Sequence, residues 1–74
     1  MFVEVQYYKG TGFYAGAKYT YETLLPLKAG DKVIAPTVKE PRQRGIVAAV
    51  NVKMPNFPCW RIEEYDPDAE EVFV

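Results

Sequence analysis

The segment Gly45-Ile46-Val47-Ala48-Ala49-Val50-Asn51-Val52 is apolar at seven of eight positions and rich in β-branched residues. A run of this length is too short for most helices and too apolar for a surface strand, so it predicts a central strand covered on both faces, opened by Gly45, with Ile46, Val47, Val50 and Val52 buried. A chain of 74 residues has little else with which to build a core. Below about 80 residues a single core rarely supplies more than about 3–5 kcal/mol, and the usual reinforcements are missing here. Cys59 is the only cysteine and histidine is absent, which excludes an intrachain disulfide and a Cys/His zinc cage. Serine is absent too, so neither a Ser-His-Asp nor a Cys-His catalytic arrangement can be assembled within one chain.

Around the central run, alternation and turn residues set out further strands. Phe2–Tyr8 alternates Val3, Val5 and Tyr7 against Phe2, Glu4, Gln6 and Tyr8, as a half-buried strand does. Lys9-Gly10-Thr11-Gly12 ends it; these glycines, with Gly16, suit a hairpin connection, because the Gly-Lys-Thr ending of a phosphate loop is missing. Lys18–Thr23 follows, with Tyr19 and Tyr21 on one face and Lys18, Thr20 and Glu22 on the other. Lys28-Ala29-Gly30-Asp31 is a turn into Lys32–Ala35, which Pro36 stops because it has no N–H to give to a ladder. A polar, basic loop from Thr37 to Gln43 joins this strand to the central one as an antiparallel hairpin. Beyond Val52, prolines at 55, 58 and 67 punctuate the chain. Cys59–Tyr65 fits either a short strand pairing Trp60 with Ile62 or one helical turn, and Glu71–Val74 an edge strand. The sum is an all-β domain over residues 1–65, a small antiparallel barrel or strongly curved sheet of five or six short strands, with an acidic tail or edge strand over 66–74.

Charge is divided unevenly. Residues 1–62 hold all nine Lys and Arg against four acids, for a net +5, whereas residues 63–74 hold six acids and no base. A basic body with an acidic tail suits nucleic-acid binding, the tail competing with phosphate; a solvated acidic end that only aids solubility has the same composition. The adjacent acids of the tail lack the rigid spacing across a cleft that carboxylate catalysis needs, and no metal or cofactor site is expected. Cys59, beside Trp60 and with only Arg61 nearby as a cation, reads as a buried structural thiol. No apolar run approaches a membrane span and Glu4 argues against a signal peptide, so a cytoplasmic domain that does not engage membranes is expected.

The aromatic residues are the remaining signal. Six tyrosines are present, and Tyr19 and Tyr21 lie close to Lys18. They suit a stacking surface bounded by cations, where each base stacked on an aromatic is worth about 1–3 kcal/mol; equally, they suit bulky barrel core with hydroxyls at the rim.

The stretch from Tyr19 through Leu24-Leu25-Pro26 and Gly30-Asp31-Lys32-Val33-Ile34-Ala35-Pro36 to Arg44-Gly45-Ile46-Val47-Ala48-Ala49-Val50 resembles the N-terminal DNA-binding domain of the primosomal replication-restart helicase (PriA). That family reads aromatic-Asp-Tyr, apolar residues, Pro, Gly-Asp-x-Val-x-Val-Pro, a basic loop and Gly-x-Val-x-x-Val. The likeness spans about residues 18–52 plus Phe2–Tyr7, and is greater still to short stand-alone bacteriophage and prophage versions of the module. It implies a barrel that binds the 3′ end of a DNA strand near the aromatic-Asp-Tyr motif, which reads Tyr19-Thr20-Tyr21 here, with threonine in place of the acid. The expected function is a non-catalytic phage-type module, in the host cytoplasm if phage-encoded, binding single-stranded or primer-end DNA. Lys18, Lys32, Lys39, Arg42 and Arg44 would hold phosphates, and Tyr19 and Tyr21 would stack on or lodge a terminal base. The rival reading is a phage accessory protein that binds a host or phage protein through its aromatics and acidic tail.

Overall fold

The computed structural model describes residues 1–69. The described chain is all-β, with β1 at Phe2–Gly10, β2 at Phe13–Thr23, β3 at Lys32–Ala35, β4 at Gln43–Val50 and β5 at Arg61–Ile62. They form one sheet in the order β3-β4-β1-β2-β5. β1 pairs antiparallel with both β2 and β4, β3 antiparallel with β4, and β5 parallel with β2. The short stretch after β5 then carries the chain across to the opposite edge. Tyr65 bridges to Val33, the Ile34 N–H donates to the Glu64 carbonyl (3.2 Å), and the Asp66 N–H donates to that of Lys32 (3.0 Å). The curved sheet is thereby nearly closed into a barrel, which leaves few unpaired edges in a domain too small for a second layer.

Side chains that alternate onto the inner face make the core: Val3 and Val5 from β1, Tyr21 from β2, Val33 and Ala35 from β3, Val47 from β4, Ile62 from β5, and Leu27 from the loop before β3. Fully burying a valine such as Val5 contributes about 1.5–3 kcal/mol, so this small set carries most of the fold. Thr23 is buried among them with its polar needs met, its hydroxyl donating to the Ile62 carbonyl (2.9 Å) and accepting from the Leu25 N–H (3.0 Å). Asp31 holds the turn before β3 by accepting the Lys28 N–H (3.0 Å), and its carbonyl receives the Val47 N–H (2.8 Å).

β4 is interior in the strand order, but the burial expected of it is only partly present. Gly45 and Val47 are buried, whereas Ile46, Val50 and Val52 are half-buried. The outer face of a one-layer barrel meets solvent, and Ile46 lies there opposite Gln6 and Lys32. Ala48 is an extra residue between the pairs Val5↔Val47 and Glu4↔Ala49, a bulge that turns both Val47 and Val50 toward the core. Gly45 has a separate requirement: a Cβ built there would lie 2.6 Å from Val5 Cγ1 and 3.1 Å from the Gln6 carbonyl oxygen. The close approach of β1 and β4 depends on that missing methyl.

The C-terminal part also departs from expectation. Within Cys59–Tyr65 the strand is limited to Arg61–Ile62, Tyr65 adding only its single bridge to Val33, and no helical turn forms after Pro58. Trp60 shares the parity of Ile62 yet lies outside the strand, 48% exposed against 1% for Ile62. The strand expected at Glu71–Val74 falls outside the described residues.

Candidate functional site

A second irregularity in the sheet shapes an aromatic groove. Between the pairs Val5↔Tyr19 and Tyr7↔Ala15, Gln6 of β1 faces three residues of β2, Gly16-Ala17-Lys18. Gly16 takes a φ of +90°, which a side chain would strain, and its carbonyl accepts the Gln6 Nε2–H (3.1 Å). The bulge leaves Tyr19 stacked on Tyr7, with ring centroids 4.8 Å apart and planes within 10°. Tyr21, two residues on, is buried: its hydroxyl lies 2.7 Å from that of Tyr7 and donates to the Pro36 carbonyl (2.8 Å). Burial, and after it the Tyr7 hydrogen bond, push the Tyr21 phenol far above its ordinary range.

The opposite wall comes from the proline-punctuated segment before β5. Phe57, Pro58, Cys59 and Trp60 line it, held to the sheet where the Glu22 N–H donates to the Trp60 carbonyl (3.0 Å). With Tyr7, Tyr19, Tyr21, Pro36 and Val38 they enclose a groove of about 380 Å³, within the range of small-ligand sites, and Lys18 is its one charged lining residue. Tyr19, Phe57 and Trp60 are each about half exposed, so this is an open aromatic surface. Cys59 is half-exposed in this lining, where a buried thiol had been expected. Partial burial, with Glu22 nearby, raises its pKa and keeps it a thiol.

The basic residues are placed differently. Lys32 and Arg44 line a second, more polar hollow of about 440 Å³ with Tyr8, Tyr14 and Asp68. The Arg44 guanidinium is largely engaged there, with Nε donating to Asp66 Oδ2 (2.7 Å), Nη2 donating to the Asp68 carbonyl (3.1 Å), and its face 4.4 Å over the Tyr8 ring. Asp66 has a fully buried side chain that also accepts the Asp68 N–H (2.9 Å), and so acts as an anchor of the fold. Arg42 on the β3–β4 loop is paired with Glu64. Lys39 is exposed on the same loop, whose bend is fixed by hydrogen bonds between Thr37 and Glu40.

Of the seven residues singled out from the sequence, Lys18, Tyr19 and Tyr21 thus converge on the groove, Tyr21 as its buried floor and without a free ring face. Lys32 and Arg44 converge on the other hollow, and Lys39 and Arg42 stand on the loop. The groove residues the sequence reading missed are Tyr7, Phe57 and Trp60. The signal for the last two was large aromatics beside the prolines at 55 and 58, which keep a segment out of regular sheet pairing. Among the described residues, no group of three or more His, Cys, Asp or Glu is placed to hold a metal ion. Compared with known proteins, the chain matches no family model, no curated protein and no solved structure.

Proposed function

We propose that this chain is a non-catalytic binding module whose Tyr19–Trp60 groove accepts an unstacked base of single-stranded or primer-end DNA. The observation that carries the reading is the exposed ring of Tyr19, backed by Tyr7 at 4.8 Å and facing a groove with Trp60, Phe57 and Lys18 in its lining. A flat aromatic held from behind offers a base a pre-formed partner, and a neighbouring ammonium can neutralise the adjoining phosphate. The resemblance to the DNA-end-binding domain of the replication-restart helicase, including its stand-alone phage versions, supports the same reading. Of the other cations singled out from the sequence, Lys39, next to Val38 at the groove edge, and Lys32 have no ion-pair partner among the described residues. Arg42 and Arg44 are held by Glu64 and Asp66, acids from the stretch read as competing with phosphate.

Cys59 gives a direct test, because it is the only cysteine and lies in the groove wall. Alkylation by a maleimide in the native state should slow several-fold when a short single-stranded oligonucleotide is added in saturating amount. An unchanged rate would place any DNA contact elsewhere. The second reading, a protein partner, draws on the same exposed Phe57 and Trp60, since aromatics are enriched in the cores of protein interfaces.

A further inference from the structure

Past the Tyr7↔Gly45 pair β1 parts from β4, and its last rungs, Tyr8↔Tyr14 and Gly10↔Phe13, join it to β2 alone. A two-stranded ribbon thus runs on from the barrel. Paired residues share a face and neighbours along a strand alternate, which tells the two faces of the ribbon apart. Tyr8 and Tyr14 stand on one face, where Arg44 lies 4.4 Å over the Tyr8 ring. Tyr7 pairs with Ala15, and Phe13 is two residues from Ala15, so Phe13 stands on the other face, in line with Tyr7. The Tyr7–Tyr19 stack that borders the groove is therefore followed, toward the tip, by a further aromatic ring, 53% exposed. The turn before Phe13 is braced, with the Gly12 N–H donating to the Tyr8 hydroxyl (3.1 Å).

The charge of the ribbon suits the same ligand as the groove. Residues 7–20 contain Lys9 and Lys18 and no acid. Neither lysine has an ion-pair partner among the described residues. Lys18 lines the groove, and Lys9 reaches the bulge, where a Cβ built at Gly16 would lie 3.5 Å from its Cε and 3.7 Å from its Nζ. Its ammonium is thus placed near Gly16, between Phe13 and Tyr19 along β2. At about 3.3 Å per residue, Phe13 and Tyr19 are at most about 20 Å apart, which about six nucleotides span at 3.4 Å each and fewer span when extended.

We propose that the ribbon continues the groove as a track for single-stranded DNA, with one base at Tyr19, a second stacked on Phe13, and a phosphate between them at Lys9. The track rests on the base-binding reading above and adds a second site and a direction along β2. An exposed aromatic on a braced turn serves as a stacking platform for any base, and an ammonium with no acid beside it on the ribbon serves the backbone that joins the two bases.

The test measures binding of a fluorescein-labelled oligo-deoxythymidine of about twelve nucleotides by anisotropy, at salt concentrations from about 50 to 200 mM. Phe13→Ala should weaken binding by about 5–150-fold, the range for one stacked base. Phe13→Leu keeps apolar bulk without a ring and should lose nearly as much, whereas Phe13→Trp should bind at least as tightly as the native chain. Lys9→Ala should lower the slope of log affinity against log salt by about 0.7, one single-strand phosphate. Circular dichroism checks the fold of each variant, and should Phe13→Ala not fold, Phe13→Leu and Lys9→Ala decide the matter. Native affinity to within about twofold in Phe13→Leu, or an unchanged slope in Lys9→Ala, overturns the track while leaving base binding at Tyr19 in place. No binding by the native chain at about 100 μM, weaker than most non-specific binders, overturns both.

Discussion

Replacing Gly45 with alanine tests the packing on which the barrel depends. The new Cβ would lie 2.6 Å from Val5 Cγ1, about 1 Å inside the separation at which two carbons attract. Val5 is fully buried, so its methyl cannot swing into solvent, and the Gln6 carbonyl at 3.1 Å belongs to backbone that pairs with β4. Relief must come from an off-rotamer valine or from parting two strands, and overpacking of this kind costs about 1–3 kcal/mol. Against it, alanine restricts the unfolded chain and returns about 0.4–1 kcal/mol. The net expectation is a loss of about 1–2 kcal/mol, a fall in Tm of about 5–15 °C for a domain of this size. A double-mutant cycle locates the cause. In a Val5→Ala background the clashing methyl is gone, so the penalty for Gly45→Ala should shrink by about 1 kcal/mol or vanish. Thermal and urea unfolding followed by circular dichroism give both numbers. A raised Tm for Gly45→Ala, or the same penalty in both backgrounds, would refute the close approach of β1 and β4.

Three further outcomes follow from the described contacts. Asp66→Asn should destabilise by about 1.5–3 kcal/mol, the range for hydrogen bonds to a charged group, because it weakens the link from a fully buried carboxylate to Arg44; a loss under about 0.5 kcal/mol in urea unfolding would show that Asp66 belongs to a solvated tail. Tyr21 ionises less readily in the folded chain than in the unfolded one, so its contribution to stability is complete below the unfolded phenol value near pH 10 and declines as pH rises beyond it. Urea midpoints should accordingly fall above about pH 10, and fall less steeply in Tyr21→Phe; identical alkaline losses would exclude the buried phenol as the cause. For DNA binding, Lys18→Ala should flatten the dependence of log affinity on log salt by about 0.7, one single-strand phosphate, and Arg44→Ala should leave it unchanged; the reverse pattern would move the phosphate path to the second hollow.

Local pattern announced much of this fold. β1 and β3 could be read from alternation and from the turns and proline that bound them, and Gly45 stood out as a strand glycine. What local pattern does not carry is the outcome of pairing between distant segments. β2 runs from Phe13 because the Gly16–Lys18 bulge lets it continue past the glycines toward the hairpin turn. The bulge at Ala48 changes which valines face inward, and nothing in an unbroken apolar run marks where one residue will be looped out. Tyr19 and Tyr21 share a strand parity, but only Tyr21 reaches the core; Tyr19 lies farther along the strand, over Tyr7. Arg44 and Asp66 are 22 residues apart and meet because the chain after β5 crosses to β3, a closure that charge counting cannot see. The groove was half legible for the same reason. Its floor and one wall come from paired strands, while its aromatic wall comes from an irregular segment whose position depends on the Trp60–Glu22 hydrogen bond.

The most direct measurement of the central claim uses Trp60, the only tryptophan, as a probe inside the groove. A short single-stranded oligonucleotide is titrated into the native protein and into Tyr19→Ala while tryptophan emission is followed, at salt concentrations from about 50 to 200 mM. The native chain should show saturable quenching, and Tyr19→Ala should weaken binding by about 1–3 kcal/mol without changing the salt slope, because stacking displaces no counterions. Tyr19 is 47% exposed, so the variant should keep its circular dichroism spectrum. Native emission that stays constant up to about 100 μM DNA at the lowest salt, or equal affinity in Tyr19→Ala, would contradict a base-binding role for the groove.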